Sequence, residues 1–300
     1  MNRKLGLREV FSLNITVKRK IEPYLWLAPS FVLFALFVFY PFFITLYKSF
    51  YIVDSLGAVR KFVGAGNYLY ILKDKEFIQA ILNTLYFALL TVPASKIIGL
   101  LLAMLAYHKH KLSILYETSF AIPMTIASST AAMIFQLLYV PTLGFINGIT
   151  GLQIRWLTDP KVAMFSIALI QIWLSSGYAF VFLLSAVRNI PEAVLESASI
   201  DGATGWRKMI FIILPLISPT MFYLIVMDIP FSIMMVSLNN VLTQGGPNNS
   251  TMTVMLYIYN QIALVGNNTY ANAATMIAFI ITLGFILLGF AFEKKGVHYQ

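Results

Sequence analysis

Lys96 and Asp228 are the two ionisable residues that fall well inside long apolar runs of this chain. A charge at the centre of a membrane helix costs about 2.5–3.5 kcal/mol even on insertion scales, so each must face a bundle interior, a cavity or a partner. Asp228 therefore has three readings: a contact in a solute pathway, an ion pair with Lys96, or an interface with a second subunit. Ser232 lies four residues after it, on the same helical face.

The densest polar chemistry sits between these two charges, in the stretch Asn189 to Lys208. A bare connection between spans needs only a handful of turn residues, whereas this one holds the parts of two short helices. Asn189 and Pro191 supply cap and first-turn chemistry, Glu192 and Glu196 lie toward the positive end, and Gly202 stops the first helix. Asp201 or Thr204 can cap a second helix carrying Arg207 and Lys208 late in it.

Enzyme chemistry finds no footing, and no catalytic residue is assigned. Without cysteine, disulfides and thiolate metal sites are excluded. His108, His110 and His298 fall in short polar ends with no H-E-x-x-H pattern, so no metal site is expected. The chain has no G-x-x-x-x-G-K phosphate loop, and its intramembrane carboxylates and serines are too scattered for proteolysis or acyl transfer.

Hydrophobic residues make up 59% of the 300 and charged residues 11%, with a mean hydropathy of +0.79. Ordinary soluble domains carry about a quarter charged residues. The pattern is that of an all-α, polytopic membrane protein, because lipid leaves a long segment no other way to satisfy its backbone. Crossing the bilayer takes about 20 apolar residues, and six segments qualify: 25–47, 78–107, 117–140, 162–187, 210–238 and 273–292. The first follows a basic tail, 1–23, and has no small-residue cleavage site behind it, so it reads as a retained span. With the N-terminus inside, cytoplasmic segments hold thirteen Lys and Arg and the opposite side seven. That bias favours both termini, including the tail 294–300, and the Asn189–Lys208 stretch in the cytoplasm. It also accounts for the net charge of +9 without nucleic acid as a partner.

Pro29, Pro41, Pro93, Pro123, Pro215, Pro219 and Pro230 fall inside spans and are expected to bend them around a cavity. The external segment 239–272 carries no charge, and its stretch Met252 to Leu264 is too short to span. It is expected to lie along or dip into the outer interface, as a docking surface or as a plain connector.

Glu196-Ser197-Ala198, three residues, Gly202, nine residues, then Ile212-x-Leu214-Pro215 resembles the E-A-A loop of the membrane subunits of ATP-binding cassette importers, with Ser197 where alanine is usual. Ile190-Pro191-Glu192 and Ile200-Asp201-Gly202-Ala203 around it are similar to the carbohydrate-uptake branch, as are Phe62-Val63-Gly64-x-x-Asn67-Tyr68 and Trp156-Leu157-Thr158-Asp159-Pro160. The likeness runs from about Tyr24 to Gln300.

The resemblance implies a type I importer membrane domain of six transmembrane helices over 24–293, with a core unit about 78–292 and a coupling loop at 189–209. In that loop Glu196, Ser197, Ala198, Asp201, Gly202 and Ala203 would meet an ATPase subunit. It implies a permease subunit in a bacterial-type plasma membrane, carrying a carbohydrate, with glycerol-3-phosphate or a related polyol phosphate as the alternative. ATP and Mg would act in two separate ATPase subunits and not in this chain. A homologous second permease subunit, an extracytoplasmic substrate-binding protein and the lipid bilayer would complete the assembly. Sugar contacts of the family, carried across, fall on Tyr178, Asp228 and Ser232. Trp173 and Tyr178 could offer aromatic faces to a sugar ring while Asp228 and Ser232 accept from its hydroxyls. An aspartate there argues against an anionic cargo. The alternative of another class is an ion-coupled secondary carrier in which Lys96 and Asp228 relay ions, but such a carrier has no use for a loop built at this spacing.

Overall fold

The computed structural model describes residues 22–296 apart from positions 110 and 143. Most of both expected tails, together with His110 and His298, lies outside the described residues. The chain opens with α1 (Glu22–Ser49), an apolar helix whose spanning window has no buried residue. A hairpin of β1 (Tyr51–Val53) and β2 (Val59–Phe62) follows, then α2 (Gly66–Ile71). The hairpin is an addition to the all-α expectation. Asn67 ties it to the membrane side by donating from Nδ2 to the carbonyls of Ser49 at 2.8 Å and Tyr51 at 2.9 Å. Asp54 closes its turn: the Ala58 amide, aided by Arg60, holds this carboxyl below the usual range.

α3 (Lys75–Leu105) is capped by Asp74, whose carboxylate accepts from the Glu76 amide. It runs straight through Pro93, so not every proline in a span breaks it. α4 (Ser113–Thr125) and α5 (Ser128–Leu138) follow at an angle of 100°. Pro123 lies in the tight last turn of α4, and Ile126 and Ala127 are extended. A small external helix, α6 (Phe145–Thr150), is stapled by Asn147, which donates to the Pro141 and Ile154 carbonyls and accepts from Trp156 Nε1 at 2.7 Å.

α7 (Ala163–Arg188) lies along α3, and small residues let the two backbones close: a Cβ on Gly99 would fall 2.6 Å from that of Ala179. After α8 (Glu192–Ile200), α9 (Gly205–Leu216) and α10 (Ser218–Ile233) meet at 73° around Ile217. Pro215 and Pro219 flank that bend, each without an N–H to return, and a π-helical turn over Met209–Ile213 precedes it. Among the described residues four uninterrupted helices are long and apolar enough to cross a membrane, and six when each bent pair counts as one. The spans read at 117–140 and 210–238 are the two bent pairs, with Pro123 and Pro215 beside the breaks as expected of prolines within spans.

α11 (Ser237–Leu242), α12 (Val254–Ala263) and α13 (Asn268–Gly296) complete the fold. α12 adds packing detail to the uncharged segment. One face is packed: Val254, Leu256, Tyr257 and Ile258 are buried against α13 and α3, while Tyr259, Ile262 and Leu264 stay exposed. The loop before it is held from below, Asn83 donating to the Asn249 and Met252 carbonyls and Asn239 to that of Thr251. A polar, uncharged sequence is what such a network of backbone contacts requires.

Candidate functional site

The loop after α7 is a built element. Asn189 finishes α7, its N–H reaching the Ser185 and Ala186 carbonyls, so it does not start α8; Pro191 takes that place, with no side-chain cap. α8 ends as the sequence indicates. Gly202 sits at φ +81°, its N–H bonds to Ser199 O, and the Ala203 N–H reaches back to Ala198 O at 2.9 Å. This is the six-to-one closure that a left-handed residue allows. Thr204, and not Asp201, stands at the next N-cap, and the second short helix runs on into the fifth span as α9.

The loop is fastened to the bundle. Leu195 joins a core cluster with Leu100, Phe180, Leu183 and Ile213, and Lys208 Nζ donates to Ser199 Oγ at 2.9 Å across its two arms. Of the six loop residues singled out, Glu196, Ser197, Asp201 and Gly202 are exposed, Ala203 is half-buried, and Ala198 turns inward and is buried. Ile200 and Trp206, which sequence reasoning passed over, are 86% and 65% exposed on the same loop. Bulky apolar residues placed among charges were the available signal. Behind the loop a cleft of about 640 Å³ separates Glu192, Glu196 and Lys208 from Met104, Tyr107 and His108 at the end of α3.

Higher in the bundle, Lys96 Nζ lies 2.5 Å from Asp228 Oδ2, and Ser95 Oγ donates to the same oxygen at 3.3 Å. Lys96 is 3% exposed. Asp228 Oδ1 accepts no hydrogen bond from a described residue. Asp228 also lines a pocket of about 310 Å³ between α7, α10 and the α4–α5 bend, and Tyr178 lines it too. Ser232 shares Asp228's helical face, as the spacing requires, but that face looks toward α3: Ser232 is buried and sits 3.3 Å from Thr91 Oγ1, outside the pocket lining. Trp173 does not line it either; its ring packs on Phe135 at 5.6 Å. The structure adds Gln171, one and two helical turns before Ser175 and Tyr178. Its Nε2 donates to Ser175 Oγ at 2.8 Å, while its buried Oε1 has no partner. The signal was a lone amide in an apolar helix.

The chemistry of this pocket is that of an acceptor site in apolar walls. Asp228 Oδ1 can receive hydroxyl donors, Tyr178 contributes an aromatic face and a hydroxyl, and no cationic side chain lines it among the described residues.

Comparison with known proteins agrees with this architecture. Residues 63–294 match the family described as binding-protein-dependent transport system inner membrane component. The sn-glycerol-3-phosphate transport system permease protein UgpA of Agrobacterium fabrum is 31% identical over 95% of this chain and 99% of its own length. A probable ABC transporter permease protein of Bacillus subtilis, YurN, is 29% identical over 93% and 98%. A bacterial alginate ABC transporter, solved in complex with an alginate pentasaccharide-bound periplasmic protein, has a chain that superposes with a TM-score of 0.80 at 23% identity, covering 93% of this chain and 96% of that one. That last likeness speaks for the fold.

Proposed function

The chain belongs to the family of binding-protein-dependent transport system inner membrane components, and from that premise we propose that it is one of two homologous permease subunits of an ATP-driven importer for a carbohydrate. One arrangement carries the reading: α7, which bears Gln171 and Tyr178, leads into the loop that presents Glu196, Ile200 and Trp206, and α9 leads out of it to α10, which bears Asp228. Movement of that loop is transmitted to the pocket as rigid displacement of packed helices, because Leu195 and Ile213 lock it into the core. Two ATPase subunits, which hold ATP and Mg, receive the loop; an extracytoplasmic binding protein delivers the cargo. Both termini and the loop face the cytoplasm of a multi-pass inner-membrane protein.

A second reading has a specific observation behind it: the UgpA relatives are named for sn-glycerol-3-phosphate. Against it stands a pocket lined by a carboxylate and, among the described residues, by no cationic side chain. Co-expression of the subunits with the binding protein, followed by reconstitution, tests the reading. Binding protein loaded with a neutral oligosaccharide should stimulate ATP hydrolysis and uptake. Stimulation only by glycerol-3-phosphate would move the assignment to the second reading, and an assembly that transports without ATPase subunits would overturn both.

A further inference from the structure

Lys96 is buried behind the pocket, and Asp228 is the charged residue that lines it among the described residues. The carboxylate is held by one oxygen only: Lys96 and Ser95 both donate to Oδ2, so Oδ1 is free to accept. A carboxylate in that position without its lysine would give the pocket a net negative charge in a region of low dielectric, and a lysine without its carboxylate would give it a positive one. Together they leave an uncharged site with a strong acceptor.

We propose that Lys96 sets the charge class of the cargo: it cancels Asp228 and fixes which oxygen is free, so that the pocket takes neutral polyhydroxylated solutes and refuses phosphorylated or carboxylated ones. This rests on the importer reading above and deepens it. An anion brings oxygen lone pairs against Oδ1, and no cationic side chain among the described residues lines the pocket to meet them. A sugar hydroxyl brings a proton to Oδ1. Lys96 is a positioning residue, since it acts through Asp228 and does not line the pocket itself.

The test uses the complete importer, purified without its binding protein so that only the membrane site is read. Equilibrium binding is measured for maltose, for its oxidised, singly anionic counterpart maltobionate, and for sn-glycerol-3-phosphate. In Asp228→Asn the lysine loses its counter-charge, and affinity for the two anions relative to wild type should rise at least tenfold. In Lys96→Gln a donor to Asp228 remains but the charge is gone, and anion affinity should fall further. The double variant, again uncharged, should return toward the wild-type preference. Anion affinity unchanged in Asp228→Asn overturns the proposal, as does a wild type that binds either anion more tightly than maltose. Should Asp228→Asn fail to assemble, Lys96→Gln decides: lowered anion affinity supports the charge rule and unchanged affinity overturns it. Co-purification of the ATPase subunits and ATP hydrolysis stimulated by loaded binding protein score the importer reading separately.

Discussion

Arg188, the last residue of α7, clasps Glu117 of α4 through hydrogen bonds of 2.6 and 3.2 Å and at the same time donates from Nη2 to the Ala106 carbonyl at 2.7 Å. One guanidinium therefore joins three helices directly above the loop, using the fork geometry that lysine lacks. Arg188→Met should lower stability by about 1–3 kcal/mol, since it strands a half-buried carboxylate and an end carbonyl. Exchanging the two residues, Arg188→Glu with Glu117→Arg, should recover only part of the loss, because a carboxylate cannot donate to Ala106. Thermal unfolding of the purified assembly reads this; full recovery would mean that the ion pair alone matters.

Glu196→Lys and Gly202→Asp should each reduce uptake by roughly tenfold or more while leaving the subunit inserted. Glu196 is exposed, where substitutions usually shift stability by within about 0.5 kcal/mol. A Cβ on Gly202 meets open space, so the local cost is the left-handed backbone, about 1–2 kcal/mol and less for aspartate. A large transport defect therefore has to arise at the contact with an ATPase. Wild-type uptake in both variants, with the ATPase still bound, removes the coupling role.

Gln171→Leu separates cargo binding from stability. Replacing a buried amide whose Oε1 lacks a partner by an apolar side chain should leave the melting temperature unchanged or raised. Uptake should show a KM raised about 5–10-fold, the worth of one hydrogen bond of about 1 kcal/mol or slightly more. A loss of stability with unchanged KM would make Gln171 a packing residue.

Reporters fused after Lys208 should read cytoplasm, and reporters fused after Gly246 should read the exterior, as the basic-residue bias requires. The opposite pattern would put the loop on the wrong face for an ATPase.

What the sequence could say depended on whether the deciding interaction was local. Gly202 as a helix stop was legible because a left-handed terminus selects glycine from its own dihedrals. Lys96 and Asp228 stood out because charges are costly in apolar text. The shared face of Asp228 and Ser232 followed from helical spacing, but which way that face looks is decided by α3, whose Ser95 and Thr91 take one residue each. The same dependence on distant packing hid the burial of α12 and the inward turn of Ala198. At the spans, Pro93 passes through an intact helix while Pro123 and Pro215 sit at breaks. Proline removes a donor everywhere; neighbours decide whether the helix survives it.

The ion pair between Lys96 and Asp228 joins positions 132 residues apart, so the order of synthesis matters. As the chain emerges from the ribosome, α3 must enter the bilayer with its lysine uncompensated, at a cost of about 2.5–3.5 kcal/mol on insertion scales. Its 31 residues, apolar apart from a few polar side chains, carry that load. Asp228 arrives only after the loop and α9 have been made. Its arrival neutralises the earlier residue while α13 is still to be made, so a chain truncated before Asp228 keeps a naked cation in the membrane.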